Sequence, residues 1–282
     1  MTELINIADI LALRAESQGD QIAIRCPGRK GGNGFRRYDD TISYSALHER
    51  STAIAKGLQV YGVGQGVRAA VMLKPSIEFF LVMFALLKIG AVPVLIDPGI
   101  ARSALKQCLA EAQPKAFIGI PLAQAAKLVL GWAPSVRLKV TTGPLALFGG
   151  KTLQAIERLG RASKRSLPEI QRDDAAAILF TSGSTGVPKG VLYRHRHFVA
   201  QVQLLKQAFS VEPGGVSLPT FPPFALFDPA LGLTSVIPDM DPRQPGKADP
   251  EKLLHAINSF QVTQLFGSPA LMKVLADYGK PL

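Results

Sequence analysis

Ten consecutive residues, from Thr181 to Gly190, have the composition of a loop that binds phosphate groups. They read TSGSTGVPKG, with four hydroxyl side chains, three glycines and one lysine. Glycines let backbone N–H groups turn toward a ligand, hydroxyls donate further hydrogen bonds, and the ammonium group adds a positive charge, which together suit the oxygens of a polyphosphate. The Walker loop needs a glycine directly before its lysine, and Pro188 stands there instead. A flexible hairpin between two strands is the alternative interpretation. The predicted phosphate-binding residues are Thr181, Ser182, Gly183, Ser184, Thr185, Gly186 and Lys189.

The segments before this loop alternate between helical and strand patterns. A run of apolar residues at 175–180 (AAAILF) predicts a buried strand that leads directly into the loop. Upstream, the patterns predict helices at 45–61, 76–89, 102–112 and 122–130, and strands at 68–73, 91–96, 115–119 and 136–140. Two further strands, 21–25 and 41–44, form a predicted hairpin, and 141–172 is expected to be partly irregular. This alternation predicts an α/β fold with mostly parallel sheets flanked by helices, divided into subdomains 1–172 and 173–282.

The composition excludes several classes of protein. The chain has 282 residues, of which 47% are hydrophobic, and this fraction is too high for an intrinsically disordered protein. Cys26 and Cys108 are too few for a disulfide scaffold and suit a reducing compartment. The first twenty residues do not resemble a signal peptide, and the apolar run FFLVMFALL at 79–87 is shorter than a membrane span. We therefore expect a soluble, cytoplasmic protein.

Positive charge is concentrated in residues 98–172, here called the basic segment. It holds twelve basic and three acidic side chains, which accounts for +9 of the formal net charge of +11. Nucleic acid, an anionic membrane surface and an acidic protein are the partners that such a charge attracts. The segment's aromatic residues are too scattered to form a stacking platform, so we expect no nucleic acid partner. A solvated basic face without a specific partner remains an alternative.

The loop sequence resembles the signature of the adenylate-forming superfamily, which includes acyl- and aryl-CoA ligases, luciferases and peptide-synthetase adenylation domains. The segments 42–55, 86–98 and 268–275 are also similar to that superfamily, so the resemblance extends over about residues 5–282. It implies the N-terminal part of the adenylate-forming fold and the use of ATP and Mg²⁺. It also implies that the carboxylate of a substrate attacks the α-phosphate of ATP, giving an acyl-adenylate and pyrophosphate. Residues 181–185 and Lys189 would then hold the β- and γ-phosphates.

Segment 218–245 differs from the generic ligases and resembles the olefin β-lactone synthetase family. Generic ligases usually carry an aromatic residue or histidine where Ala225 follows Phe224. The resemblance implies adenylation of a long-chain 2-alkyl-3-hydroxy fatty acid, followed by attack of its 3-hydroxyl group, which closes a β-lactone and releases AMP. Other enzymes of olefin biosynthesis are implied as partners. The predicted acyl pocket consists of Phe221, Phe224, Ala225, Phe227, Phe266 and Gly267.

Later landmarks of the superfamily do not occur in the sequence. These are the Y-G-x-T-E motif, the T-G-D motif, the hinge and the small C-terminal domain. We therefore expect the chain to be the N-terminal portion of such an enzyme, without measurable adenylation activity of its own. No residue is predicted to be catalytic, and no metal ligand is predicted, since His195 and His197 have no adjoining cysteine or carboxylate cluster.

Two alternative functions stay open from the sequence. One is a long-chain fatty acyl-CoA ligase, which shares the adenylation step and forms a thioester in the second step. The other is a non-catalytic module that docks onto a membrane or a protein through the basic segment.

Overall fold

The computed structural model describes residues 4–32, 34–97, 99–100, 102–146, 148–181 and 188–279. The strands are β1 Ile22–Cys26, β2 Asp40–Ser43, β3 Arg68–Met72, β4 Val92–Ile96, β5 Ala116–Gly119, β6 Leu138–Thr141, β7 Lys151–Thr152, β8 Ala175–Thr181, β9 Lys189–Arg194, β10 Val216–Pro219, β11 Thr234–Val236 and β12 Gln264–Phe266. The α-helices are α1 Ile7–Gln18, α2 Tyr44–Tyr61, α3 Ile77–Lys88, α4 Arg102–Ala112, α5 Pro121–Val129, α6 Leu153–Arg161, α7 His195–Ala208, α8 Pro222–Ala225, α9 Phe227–Leu231, α10 Pro250–Phe260 and α11 Pro269–Asp277. Every helix and strand predicted between residues 45 and 140 is present, with ends that differ by at most two residues.

The seven-stranded sheet has the order β7-β6-β5-β3-β4-β8-β9. All of its neighbouring strands are parallel except β8 and β9, which are antiparallel. Helices connect the successive strands from β3 to β6, as the alternating sequence pattern predicts, and α6 connects β7 to β8. The interpretation of 141–172 as partly irregular missed β7 and α6, which both lie within it.

The five-stranded sheet has the order β12-β10-β11-β1-β2. The predicted hairpin is present as the antiparallel pair β1–β2, and the other pairs of this sheet are parallel. Its strand β1 pairs with β11, about two hundred residues further along the chain, with Ile24 opposite Ser235. The mostly parallel α/β architecture expected from the sequence is therefore confirmed, in the form of two sheets.

The chain forms two compact units. One consists of Met1–Asp9, Glu49–Lys74 and Glu78–Ala200, and the other of Ile10–His48, Pro75–Ile77 and Gln201–Leu282. Both units take segments from either side of residue 172, because β8 and β9 extend the sheet of β4 while the β1–β2 hairpin pairs with β11. The subdomain boundary at residue 172 stays a prediction.

Apolar side chains fill the interior of the first unit. Helix α3 is buried over nearly its whole length, as its apolar run predicts. Cys108 of α4 is buried in a cluster with Val94 and Phe180. None of the helices in the described residues is both long enough and apolar enough to cross a membrane.

Helices α2 and α6 cross in close contact through two glycines. A Cβ atom at Gly57 would lie 1.9 Å from the carbonyl oxygen of Ile156, and one at Gly160 would lie 1.6 Å from that of Ala53. No side chain fits at either position. Beside this crossing, burial acts to raise the pKa of the Glu157 carboxyl group, but the hydrogen bonds and charges of Arg50 and Arg161 together outweigh burial and lower it.

Candidate functional site

The predicted phosphate loop spans the open end of the β8–β9 hairpin. Thr181 ends β8 and pairs with Lys189, which begins β9. Antiparallel pairing thus brings the first and the last predicted phosphate-binding residues opposite each other, with Lys189 exposed to solvent. Gly190 allows this geometry, because a Cβ atom there would lie 2.7 Å from the ring of Phe180.

The middle of this loop lies outside the described residues. It comprises Ser182, Gly183, Ser184, Thr185 and Gly186. The structure therefore places the two ends of the loop, and phosphate binding stays a prediction.

Four phenylalanines of the predicted acyl pocket lie together in the second unit. Phe224 of α8 is central: its ring stacks on Phe266 at a centroid distance of 4.2 Å and an interplanar angle of 17°. Its centroid is also 5.7 Å from that of Phe221 and 6.3 Å from that of Phe227. The fold thus brings residues from three separate elements into one aromatic cluster. Acyl binding by this cluster stays a prediction.

A cavity of about 630 Å³ adjoins this cluster. Phe224, Phe227 and Phe266 form part of its wall, together with Leu231 and Leu265. Its volume lies within the range of small-molecule sites, which are mostly apolar with a few well-placed polar groups. Phe209 and Phe266 are exposed, so part of the wall is open to solvent.

The other predicted pocket residues lie beside the cavity, since the lining drawn from the described chain does not include them. Ala225 is fully buried in α8. At Gly267 a Cβ atom would lie 2.8 Å from Leu271 and 2.9 Å from Met272, so this glycine lets α11 pack closely. Phe221 contributes to the ring cluster through its contact with Phe224.

Asp228 is a buried acidic residue of this cavity that the sequence analysis did not predict as a site residue. It is the second residue of α9, is almost completely buried, and lines the cavity. Its Oδ2 atom accepts a hydrogen bond of 2.7 Å from the hydroxyl group of Ser235. Burial raises the pKa of the carboxyl group to about 7, against the opposing effect of hydrogen bonds from Ser235 and Ser217. A carboxyl group that titrates near neutral pH in an apolar cavity is a candidate for a functional role.

Lys88, the last residue of α3, is a second buried ionisable group without a role predicted from the sequence. Its Nζ atom donates hydrogen bonds to the hydroxyl groups of Ser51 at 2.8 Å and Thr52 at 2.7 Å. Burial lowers the pKa of the amine to about 7, although the charge of Asp9 acts in the opposite direction. Lys88 therefore fastens α3 to α2 within the first unit.

The two histidines near the start of α7 have local structural contacts. His195 is completely buried, its backbone N–H donates to the carbonyl of Asp174, and burial lowers its pKa to about 4. The Nδ1 atom of His197 accepts from the backbone N–H of Arg194. Within the described residues, no group of three or more His, Cys, Asp or Glu side chains is arranged to hold a metal ion.

Comparison with known proteins gives a consistent result. Residues 11–282 match the family of AMP-binding enzymes. The chain is 65% identical over 282 residues to a protein named olefin β-lactone synthetase from Xanthomonas campestris pv. campestris, and 65% identical over 283 residues to a protein of the same name from Stenotrophomonas maltophilia. All of the chain but only 51% of each relative is covered, so the chain spans about half the length of these curated relatives.

A solved structure supports the fold. The long-chain-fatty-acid-CoA ligase from Archaeoglobus fulgidus superimposes with a TM-score of 0.80 at 21% identity, over 97% of this chain and 53% of that one. At this identity the likeness concerns the fold, which agrees with the expected N-terminal part of the adenylate-forming architecture. With a family match that extends over nearly its whole length, the chain belongs to the AMP-binding enzyme family.

Proposed function

We propose that this protein takes part in the activation of a long-chain carboxylic acid by ATP and Mg²⁺, as an acyl-adenylate. The observation that carries the proposal is the cavity beside Phe224, whose wall is apolar and aromatic apart from a few polar groups. Membership of the AMP-binding family supports the use of ATP. Mg²⁺ would reach the site with the phosphates of the nucleotide.

The adenylation step joins two anions, so its barrier is largely electrostatic. A carboxylate oxygen of the acid forms a bond to the α-phosphorus, the bond from this phosphorus to the bridging oxygen breaks, and pyrophosphate leaves. The ammonium group of Lys189 and the hydroxyl and N–H groups of residues 181–186 would hold the β- and γ-phosphates and offset the charge that develops on the leaving group.

We further propose that the acid is a 2-alkyl-3-hydroxy fatty acid, and that the second step closes a β-lactone. The substrate's 3-hydroxyl oxygen attacks the activated carbonyl, the bond to AMP breaks, AMP leaves as an anion and the hydroxyl proton is released. Because nucleophile and electrophile belong to one molecule, this step has the entropic advantage of an intramolecular reaction. The two relatives at 65% identity, both named olefin β-lactone synthetase, support this assignment.

In this proposal Asp228 positions the 3-hydroxyl group. A hydroxyl that enters an apolar cavity loses hydrogen bonds to water, and such a loss is costly unless a partner replaces them. Two carboxyl groups line the cavity, and Asp228 is the buried one, next to Phe227 and near Phe224, whereas Glu212 is exposed. A plain fatty acid would satisfy the apolar wall equally well but would leave Asp228 without a hydroxyl to bind, which makes the acyl-CoA ligase function the weaker alternative.

The adenylation proposal can be tested in a chimera, in which this chain replaces the matching segment of the Xanthomonas campestris relative. We expect exchange of labelled pyrophosphate into ATP that depends on a 2-alkyl-3-hydroxy fatty acid. A chimera that folds and binds ATP but shows no exchange with this acid would contradict the proposed substrate.

The role of Asp228 needs a separate readout. In the chimera, the ratio of kcat/KM for a 3-hydroxy acid to that for its 3-deoxy analogue should fall at least about tenfold in Asp228→Asn, because a hydrogen bond of this kind contributes about 1–3 kcal/mol. The exposed acid Asp241 provides the matched control, Asp241→Asn, with an unchanged ratio. Equal losses for both substrates in Asp228→Asn would show a structural role only.

A further inference from the structure

Helix α5 exposes aliphatic side chains to solvent and buries a polar one. It has the sequence PLAQAAKLV, in which Gln124 is buried and Lys127 is half-buried. Gln124 is 2% exposed and donates its side-chain N–H to the carbonyl of Val140 at 3.0 Å. The aliphatic side chains of Leu122, Leu128 and Val129 are 74%, 69% and 81% exposed.

The exposed aliphatic residues share one side of the helix. At 100° per residue, Leu122, Ala125, Leu128 and Val129 occupy a sector of about 120°. Ala123 and Ala126 are on the other side, where they pack against the core cluster around Phe117. We call this outward sector, together with the exposed Leu130 directly after the helix, the α5 face.

The surroundings of the α5 face are basic. Lys127 lies on α5 itself, and burial together with the charge of Lys139 in β6 lowers the pKa of its amine. The whole helix lies within the basic segment, which carries +9. Of the three acidic residues of this segment, Glu157 is already paired with Arg50 and Arg161.

We propose that the α5 face docks onto an anionic phospholipid membrane, with its aliphatic side chains at the acyl boundary and the surrounding lysines and arginines at the headgroups. A helix with exposed aliphatic residues and basic neighbours is typical of proteins that lie in the membrane interface. Each basic side chain near an anionic membrane adds to the electrostatic attraction, so lysines and arginines can strengthen membrane binding without forming a compact cluster.

The same face fits a protein partner less well. A helix of nine residues is about 13 Å long, and four outward side chains cover far less than the area of a stable protein interface. The centres of protein interfaces are also enriched in aromatic residues and arginine, whereas the α5 face is purely aliphatic. A lipid surface needs no shape complementarity, and a membrane is also where long-chain acids accumulate.

Vesicle flotation tests this proposal with the 282-residue chain. We expect binding to vesicles of phosphatidylethanolamine and phosphatidylglycerol, little binding to vesicles of phosphatidylcholine alone, and weaker binding as NaCl rises from about 50 to 500 mM. The double variant Leu122→Ser/Val129→Ser should bind the anionic vesicles at least tenfold more weakly. Leu13→Ser removes a leucine of α1 that is 51% exposed, and should bind like the unchanged chain.

Three outcomes would overturn the proposal. The first is no binding to the anionic vesicles, and the second is equal binding by the double variant, provided circular dichroism shows that both proteins are folded. The third is self-association that the double variant abolishes in sedimentation while vesicles do not bind, which would make the α5 face an interface between copies of the chain. Because this test involves neither ATP nor the fatty acid, its result is independent of the proposed enzymatic function.

Discussion

The buried carboxyl group of Asp228 should make the stability of the protein depend on pH in a defined direction. Burial raises its pKa from 3.8 to about 7 in the folded state, so the folded protein holds this proton more tightly than the unfolded chain does. Its contribution to the free energy of unfolding is therefore fully present below about pH 4, decreases as the pH rises to about 7, and is constant above. The whole difference in pKa corresponds to about 4 kcal/mol.

Asp228→Asn isolates this contribution, because asparagine has nearly the same shape and stays neutral. Between pH 4.5 and 8, the unchanged protein should lose about 3 kcal/mol of unfolding free energy relative to the variant. His195, with its pKa lowered to about 4, has the opposite dependence between about pH 6.5 and 4. It is present in both proteins, so it cancels in the difference between them.

The assay is unfolding in guanidinium chloride at four pH values from 4.5 to 8, followed by circular dichroism. Asp241→Asn is the control: Arg243 holds the pKa of this exposed carboxyl group at about 2, below the measured range. Its difference from the unchanged protein should be the same at every pH. If the difference in unfolding free energy between Asp228→Asn and the unchanged protein were also the same at every pH, the argument from burial would be refuted.

Three further predictions concern other parts of the chain. Gly160→Ala should destabilise the protein by about 1–3 kcal/mol in denaturant unfolding, since the new Cβ would overlap the carbonyl of Ala53. At Gly64 a new Cβ meets no atom within 4 Å, so Gly64→Ala should have little effect. Equal effects of the two substitutions would refute the close helix crossing. Between pH 7 and 9 the unchanged protein should gain about 2 kcal/mol of unfolding free energy relative to Lys88→Met. The reason is that the buried amine of the folded state loses its proton near pH 7, whereas the amine of the unfolded chain keeps its proton to about pH 10. An unchanged difference over this range would show that the amine is exposed to solvent. Lys189→Ala should weaken ATP binding about tenfold to hundredfold in calorimetry, with Lys206→Ala unchanged, and equal affinities for the two variants would argue against Lys189 as a phosphate ligand.

Local sequence patterns were sufficient for much of the fold. The ends of α3 and of the helices and strands around it could be predicted, because burial and periodicity leave a local pattern of apolar residues in the sequence. Asn6 is the type of residue that caps a helix, and its Oδ1 atom accepts from the backbone N–H of Ala8 at the start of α1. Helix α6 was missed because its short, charged sequence is surrounded by glycines and basic residues.

Features that depend on distant contacts could not be predicted in this way. The pairing of β1 with β11 joins segments far apart in sequence, and no local pattern encodes it. Asp228 is a single acid within an apolar stretch, and its burial against Ser217 and Ser235 follows from the assembled sheet. The pattern of α5 predicted a helix, whereas its outward-facing leucines depend on how Gln124 meets β6.

The candidate site divides in the same manner. Composition alone indicated the phosphate loop, and the structure adds that its ends, Thr181 and Lys189, are paired across the hairpin. The four phenylalanines were predicted as pocket residues and lie in one cluster, although Ala225 and Gly267 are not among the described residues that line the cavity. Phosphate and acyl binding by these residues remain predictions.

The central claim is that this chain serves lactone closure, and product analysis tests it most directly. The chimera with the Xanthomonas campestris relative would receive ATP, Mg²⁺, a 2-alkyl-3-hydroxy fatty acid and coenzyme A, and the products would be identified by mass spectrometry. We predict a β-lactone and AMP in equal amounts, with no dependence on coenzyme A. Formation of an acyl-CoA thioester in place of the lactone would contradict the account.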